Sequence, residues 1–217
     1  MKNSVTLTID SQNVTVPEGT SIADAAESIG IKIPTICYHP SLTPPAICRV
    51  CTVEVEGQRT LQPACVVPVG EGMHVKTDTD RVKTARKVIL ELLASTVNLE
   101  EAPEIQEQID ETGADTERFE GGVKRHFEVK EDNPFYIRDY AQCIMCWRCI
   151  QVCADDVQNT YALTWGKRGL ESHVATFLDE AMPNTTCVFC GNCVGICPTG
   201  ALKGLIEYRS EQKKEQE

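Results

Sequence analysis

Residues 143–153 read CIMCWRCIQVC and residues 187–198 read CVFCGNCVGICP. Both stretches place four cysteines at the spacing C-x2-C-x2-C-x3-C, and the second continues into Pro198. Three thiolates this close in sequence can surround one inorganic cluster, and the spacing followed by proline is the bacterial pattern for [4Fe-4S] clusters. When two such runs occur together, the fourth cysteine of each run ligates the other cluster. The two stretches therefore predict a domain that holds two cubanes.

Cross-ligation divides these eight cysteines into two sets of four. The first cubane is expected to bind Cys143, Cys146, Cys149 and Cys197, and the second Cys153, Cys187, Cys190 and Cys193. Zinc is an alternative because C-x2-C pairs also build zinc ribbons, but a tetrahedral zinc would leave the third cysteine of each run without a role. Disulfides explain the pattern less well. They are disfavoured in a reducing compartment, and cysteines three residues apart in a tight turn would mostly have to pair across the two runs.

The other four of the twelve cysteines are Cys37, Cys48, Cys51 and Cys65. Their spacing, C-x10-C-x2-C-x13-C, shares the central C-x2-C and the distant last cysteine with the plant-type [2Fe-2S] pattern, which has four residues where this chain has ten. Alternating apolar residues predict a hairpin from 5–9 to 14–16. Thr20 and Ser21 can cap a helix that ends at Gly30.

A second hairpin is predicted from 51–55 and 59–61, and a further strand from 73–76. The order of strand pair, helix, cysteine loop and strand pair is that of a β-grasp ferredoxin domain. The fold class is therefore expected to be α+β, with a [2Fe-2S] domain at 1–78 and a two-cubane domain at 134–217. A helix and an acidic linker are expected between them, at 79–133.

The linker owes its acidity to residues 98–120, which hold nine acidic residues and one basic residue. Ile105 and Ile109 are one helical turn apart and could form a short helix. The usual meaning of such a charge run is a solvated linker, and the alternative is a docking surface for a basic partner.

Length and charge exclude several functional classes. A chain of 217 residues allows one or two compact domains. The formal net charge of −11 argues against a nucleic-acid partner. The first residues, MKNSVTLTIDSQ, lack a secretion signal, and the longest apolar stretch, 88–94, is far below the roughly 20 residues that span a bilayer. We therefore expect a soluble, cytoplasmic protein without a transmembrane segment.

Five segments of the sequence carry a resemblance to a known family. IPTICYHP (33–40), CRVC (48–51) and LQPAC (61–65) resemble the N-terminal [2Fe-2S] domain of the large iron-sulfur subunit of complex I, a domain that also occurs in NAD-linked formate dehydrogenases and cytoplasmic hydrogenases. The segments 133–149 and 187–202 resemble the two-cubane domain that follows it there. The resemblance implies an electron-transfer subunit with one [2Fe-2S] and two [4Fe-4S] clusters.

The sequence departs from that family in two places. The family usually carries a His and three cysteines after a helix like 82–94, and these hold a further [4Fe-4S] cluster. Here residues 95–110 contain neither His nor Cys, so that cluster is expected to be absent. Trp147 stands where a small residue such as Gly191 is commoner, and its ring could shield the cubane or anchor a subunit interface. His39 is a candidate to tune a cluster by hydrogen bonding.

No dinucleotide or triphosphate fingerprint occurs, and relatives continue into a catalytic domain that this sequence does not contain. The chain is therefore expected to be non-catalytic alone and to form a hetero-oligomer. The resemblance implies two kinds of partner: a flavoprotein that oxidises NAD(P)H, and a hydrogenase, formate dehydrogenase or second flavin subunit. The alternatives are a free-standing, diffusible ferredoxin-like carrier and a redox-sensing regulatory protein.

Overall fold

The N-terminal part of the chain forms a five-stranded sheet with one helix. The structure, a computed structural model, describes residues 3–215. Its first elements are β1 (Ser4–Ile9), β2 (Gln12–Pro17), α1 (Ile22–Glu27), β3 (Thr52–Val55), β4 (Gln62–Pro63) and β5 (His74–Lys76). The strand order is β2-β1-β5-β3-β4, with β1 parallel to β5 and the other pairs antiparallel. The predicted ferredoxin-like arrangement is confirmed.

Period-two alternation builds the core of this sheet. Leu7 and Ile9 of β1 and Val14 and Val16 of β2 are buried in one apolar cluster with Ile22 of α1. Fully burying an aliphatic side chain of this size stabilises the fold by about 1.5–3 kcal/mol. The hydrophobic pattern therefore determines which face of the hairpin meets the helix.

The second predicted hairpin differs from the observed one in its second strand. The strand expected at 59–61 is instead β4, which pairs with β3 through Thr52 opposite Pro63 and Val53 opposite Gln62. Proline has no backbone N–H to donate to a sheet, but the amide of Ala64 still donates to the backbone oxygen of Cys51 at 3.1 Å. The strand itself is two residues long.

Two helices occupy the region between the cysteine-rich parts: α2 (Asp80–Thr96) and α3 (Pro103–Thr112). The side chain of Ile105 is 1% exposed and packs in one apolar cluster with Leu90 and Ala94 of α2. A solvated linker is therefore the wrong interpretation of residues 103–112, and the short helix forms. Its acidic residues face solvent while its apolar side is buried.

A buried carboxylate ties the segment after α3 back to α2. Glu91 is fully buried, and its Oε2 lies 2.7 Å from Nη1 of Arg118. Its Oε1 accepts a hydrogen bond from the backbone amide of Asp115 at 3.1 Å. Burial acts to raise the pKa of Glu91, but the Asp115 amide and the Arg118 guanidinium outweigh it and lower the pKa. The acidic segment is therefore attached to α2 at two places: by the packing of Ile105 and by the contacts of Asp115 and Arg118 with Glu91.

As far as residue 215, the C-terminal part contains two small antiparallel sheets and three α-helices, with four short 3-10 helices in its loops. Its elements are β6 (Tyr136–Arg138), α4 (Arg148–Cys153), β7 (Thr164–Gly166), β8 (His173–Ala175), α5 (Asn192–Gly195), β9 (Leu202–Gly204) and α6 (Leu205–Glu215). β6 pairs with β9, and β7 pairs with β8. The helices α4 and α5 each begin inside a cysteine run, so the same turn geometry occurs twice.

The two cysteine-rich parts pack directly on each other. Ile36 and Val50 from the [2Fe-2S]-type part join the apolar cluster of α2 and α3, and Ile144 from a cubane run packs against it. The hydroxyl and backbone amide of Thr43 donate to the Asp156 carboxylate at 2.9 and 2.6 Å. In the described part of the chain, no helix is both long and apolar enough to cross a lipid bilayer.

Candidate metal centres

The first four cysteines converge although up to thirteen residues separate neighbours in sequence. The Sγ atoms of Cys51 and Cys65 are 3.4 Å apart. A hydrogen bond to Cys48 raises the pKa of Cys37 well above its usual range, and the same bond lowers the pKa of Cys48 to about 6. Metal ligation requires deprotonated thiols, so binding to this set would release protons and depend on pH.

The structure brings Cys197 to the other three cysteines of the first expected cubane set. Cys143, Cys146, Cys149 and Cys197 line one small cavity. The remaining wall is mainly apolar and includes Tyr140, Ile144, Trp147, Val174 and Leu202. A cavity with thiols on its wall and few other polar groups matches the needs of a thiolate-held cluster, because soft sulfur ligands select iron-sulfur centres.

A second small cavity is lined by the other expected set, Cys153, Cys187, Cys190 and Cys193. Here Cys153 comes from the run 143–153, whereas Cys197 of the run 187–197 lines the first cavity. Each run therefore contributes its last cysteine to the cavity of the other. Cys190 is the only exposed cysteine of the twelve, while the other eleven are buried or half-buried. The second set is therefore the one with a cysteine at the protein surface.

The two cubane runs share one backbone geometry. The amide of Met145 donates to the Sγ of Cys143 at 3.4 Å, and the amide of Phe189 donates to the Sγ of Cys187 at 3.3 Å. Met145 and Phe189 have φ angles of 59° and 53°. Hydrogen bonds to sulfur are among the factors that set cluster potentials. The repeated spacing thus encodes a repeated set of N–H···S contacts.

Trp147 and Gly191 occupy equivalent positions, with φ angles of 75° and 77°. This left-handed conformation suits glycine and is unfavourable for a bulky side chain. The Trp147 ring lines the first cavity and packs edge-on against Trp165 at a centroid distance of 5.3 Å. Its Nε1 donates to Gln151 at 3.0 Å. These contacts favour the shielding role over the interface role.

Replacing Trp147 by glycine is expected to relax the backbone and remove part of the wall of the first cavity. We expect the first cubane to be lost several times faster on exposure to air, measured by the decay of its visible absorbance and EPR signal. Trp147→Phe keeps an aromatic wall and should decay at the wild-type rate. Equal decay for Trp147→Gly and the wild-type chain would contradict shielding.

Three hydroxyl groups that lie next to cysteine sulfur atoms were not predicted from the sequence. Tyr136, Thr160 and Thr199 lie 3.6, 3.3 and 3.6 Å from the sulfurs of three cubane-set cysteines: Cys187, Cys153 and Cys197, respectively. A Thr two residues after a cysteine, as at 199, is the signal that could have indicated one of them. The Nδ1 of His39 accepts a hydrogen bond from the backbone amide of Ser41 at 3.2 Å, and among residues 3–215 its ring makes no hydrogen bond to a cysteine sulfur.

Burial makes the free thiols of the cubane sets poor acids. It raises the pKa of Cys143 to about 11, and that of Cys146 and Cys193 to about 12. A metal must displace these protons, so binding is coupled to pH and to folding. Among residues 3–215, no three His, Cys, Asp or Glu side chains converge on a single metal ion.

Comparison with known families assigns both cysteine-rich parts. Residues 2–80 match the 2Fe-2S iron-sulfur cluster binding domain, and residues 134–203 match the NADH-quinone oxidoreductase subunit 3, ferredoxin-like domain. The chain is thus an iron-sulfur protein with two ferredoxin-like parts. More particularly, its second part is similar to the domain named for subunit 3 of NADH-quinone oxidoreductase. The predicted resemblance is confirmed.

Several curated proteins resemble nearly the whole chain. NADP-reducing hydrogenase subunit HndD of Solidesulfovibrio fructosivorans is 40% identical over 210 residues, which cover 91% of this chain and 36% of the relative. The mitochondrial NADH-ubiquinone oxidoreductase 78 kDa subunit of Candida albicans is 34% identical over 207 residues, covering 91% and 28%. NADPH-Fe(3+) oxidoreductase subunit alpha of Geobacter sulfurreducens is 35% identical over 207 residues, covering 91% and 24%. The chain therefore spans 24% to 36% of the length of these relatives.

A solved structure shares the fold. A chain from the crystal structure of NAD+-reducing [NiFe]-hydrogenase in the H2-reduced state aligns with a TM-score of 0.82, covering 94% of this chain and 88% of that one. Sequence identity in this pair is 24%, so the likeness concerns the fold.

Proposed function

We propose that this chain is an electron-transfer subunit that relays single electrons between an NAD(P)H-oxidising flavoprotein and a catalytic oxidoreductase subunit. One [2Fe-2S] and two [4Fe-4S] clusters would supply the one-electron chemistry. The chain itself would supply ligands, position and insulation, and no catalytic residue of its own. The observation that carries this proposal is the assembly of twelve cysteines into three groups of four.

The ligand sets follow from that assembly. We assign Cys37, Cys48, Cys51 and Cys65 to the [2Fe-2S] cluster. The first cubane takes Cys143, Cys146, Cys149 and Cys197, and the second Cys153, Cys187, Cys190 and Cys193. The supporting observation is that each cubane cavity is lined by three cysteines of one run and the last cysteine of the other. The corresponding domains are 1–78 and 134–217, with 79–133 between them.

Contacts between the two parts support direct electron passage from one to the other. The Arg148 guanidinium donates to the backbone oxygen of Tyr38 at 2.7 Å, and Tyr38 follows Cys37. Cys48 and Ile144 pack against the same apolar cluster. No cysteine occurs between Cys65 and Cys143, so no interdomain cluster of the family type is expected. Close packing of the two cysteine-rich parts would let electrons pass directly between their clusters without that interdomain cluster.

The partners are proposed from the chemistry of the relatives. Their names describe subunits of an NADP-reducing hydrogenase, an NADH-ubiquinone oxidoreductase and an NADPH-Fe(3+) oxidoreductase, which supports a hetero-oligomer. The exposed Cys190 supports the second cubane as the point of exchange with one partner. The number of free thiols favours a reducing compartment such as the cytoplasm. A diffusible carrier would elute alone from size-exclusion chromatography of the native protein, whereas a subunit would elute with partners.

Metal analysis of anaerobically purified protein tests the cluster assignment. We expect about ten iron atoms per chain, from one two-iron and two four-iron clusters, with negligible zinc. Acid-labile sulfide should match the iron, since each of these clusters contains equal numbers of the two. Zinc equal to or above iron in protein isolated without reconstitution would refute the assignment.

A further inference from the structure

Three buried or half-buried arginines near the cysteine groups form no ion pair with a carboxylate among residues 3–215. They are Arg86, Arg125 and Arg148. The arginine ion pairs of that part of the chain belong to four others: Arg81, Arg118, Arg138 and Arg209. With 32 acidic residues available in the sequence, carboxylate partners are abundant. Arg148 is buried and the other two are half-buried, and withdrawing an unpaired guanidinium from water is costly unless another anion lies nearby.

Arg86 lies on α2 beside the [2Fe-2S] set. Its Nη2 donates to the backbone oxygen of Thr52 at 2.9 Å, and Thr52 follows Cys51. Its Nε is buried without a hydrogen-bond partner. Burial lowers the pKa of Arg86, and the sulfur of Cys51 is the strongest of the charges that oppose this effect.

Arg125 likewise lies beside a cysteine loop, that of the first cubane set. Its Nη1 donates to the backbone oxygen of Cys143 at 2.8 Å, and its Nη2 lies 3.5 Å from the Sδ of Met145. Burial lowers the pKa of Arg125, and the sulfur of Cys143 acts in the opposite direction. The guanidinium is thus held against the cysteine loop by backbone and sulfur contacts.

Arg148 reaches both sites. It lies in the chain between Cys146 and Cys149, its side chain is almost fully buried, and its Nε has no partner. Its Nη2 binds the backbone oxygen of Tyr38, next to Cys37, at 2.7 Å. One buried cation therefore spans the contact between the first cubane set and the [2Fe-2S] set.

We propose that these arginines are the counter-cations of the clusters: Arg86 for the [2Fe-2S] cluster, Arg125 for the first cubane, and Arg148 for both. The inference rests on the ligand sets proposed above. A cluster held by four thiolates is anionic, and its one-electron reduction adds a further negative charge. A nearby buried cation stabilises the reduced form more than the oxidised form and so raises the reduction potential.

The second cubane provides an internal reference. Among residues 3–215, no arginine or lysine donates a hydrogen bond to the sulfur or backbone of its four expected ligands, and the hydroxyls of Tyr136 and Thr160 lie there instead. Its potential should therefore be insensitive to all three arginines. Loss of an arginine is expected to change the potentials of particular clusters and leave this one unchanged.

Redox titration of the full, cluster-loaded chain, followed by EPR under anaerobic conditions, tests the proposal. Arg125→Gln should lower the potential of the first cubane, Arg86→Gln that of the [2Fe-2S] cluster, and Arg148→Gln both. At a fixed ambient potential, the ratio of reduced to oxidised cluster should fall about tenfold, which is about 59 mV for a one-electron couple. Arg148→Lys keeps the charge and should stay near the wild-type potentials.

Arg81→Gln is the matched control, since Arg81 is exposed and pairs with Glu54; it should move no potential. Wild-type potentials in Arg86→Gln and Arg125→Gln chains that retain full iron and normal signals would overturn the inference and leave the ligand sets standing. Equal shifts in Arg148→Gln and Arg148→Lys would also overturn it, by indicating packing in place of charge. Absence of the three signals from the wild-type chain would instead refute the ligand sets.

Discussion

Replacing Cys197 by serine is expected to abolish or strongly alter the EPR signal of the first cubane, although its other three ligands all lie in the other run. Cys197 lines the same cavity as Cys143, Cys146 and Cys149. Serine offers a harder oxygen ligand that iron-sulfur clusters accept poorly. The effect should be close to complete loss of one signal, while the signal of the second cubane remains nearly intact.

Cys153→Ser is the matched reciprocal variant. Cys153 lines the cavity with Cys187, Cys190 and Cys193, so its loss should perturb the second cubane and spare the first. Iron analysis should show about four iron atoms fewer in either variant if the affected cluster is lost. The opposite pairing of variant and signal would show that each run holds its own cluster.

The second large effect concerns α3. Ile105→Ala is expected to lower the free energy of unfolding by about 2–5 kcal/mol, because it leaves a cavity where a fully buried side chain packed between α2 and the [2Fe-2S]-type part. That is a large fraction of the stability of a typical domain, about 5–15 kcal/mol. Anaerobic denaturant unfolding of the cluster-loaded chain, followed by circular dichroism, would measure the loss.

Glu107→Ala on the exposed face of the same helix is the control, and it should change stability by less than about 0.5 kcal/mol. If Ile105→Ala matched this control, residues 103–112 would contribute nothing to the fold and the solvated-linker interpretation would hold after all. If Ile105→Ala also weakened the EPR signal of any of the three clusters, α3 would couple the stability of the two cysteine-rich parts to cluster binding.

Much of the fold and of the proposed sites could be predicted because the decisive signals are local. Cysteine spacing constrains which sulfurs can meet within a run, and period-two alternation predicted β1 and β2 to within a few residues. The buried arginines could not be predicted in the same way. Arg86 and Arg125 are far in sequence from the cysteine sites they contact, and only Arg148 lies inside a cysteine run.

The α3 helix shows the other limit of local reasoning. Nine acidic residues dominate the composition of 98–120, so charge outweighed the weak apolar period of Ile105 and Ile109 in the prediction. Burial of Ile105 depends on a surface built by α2, Ile36 and Val50, which no pattern within the segment reveals. Tertiary packing decided the structure of this segment, as it commonly does for short helices.

The exchange of Cys153 and Cys197 between the two runs has a consequence for how the protein matures. Each cubane cavity draws its wall from both ends of the C-terminal part, so neither can be completed while the chain between them is still unfolded. Insertion of one cluster would draw the opposite run into place and prepare the second cavity. Because metal binding and folding share one free energy, loading should be cooperative: chains with both cubanes or neither should greatly outnumber chains with one.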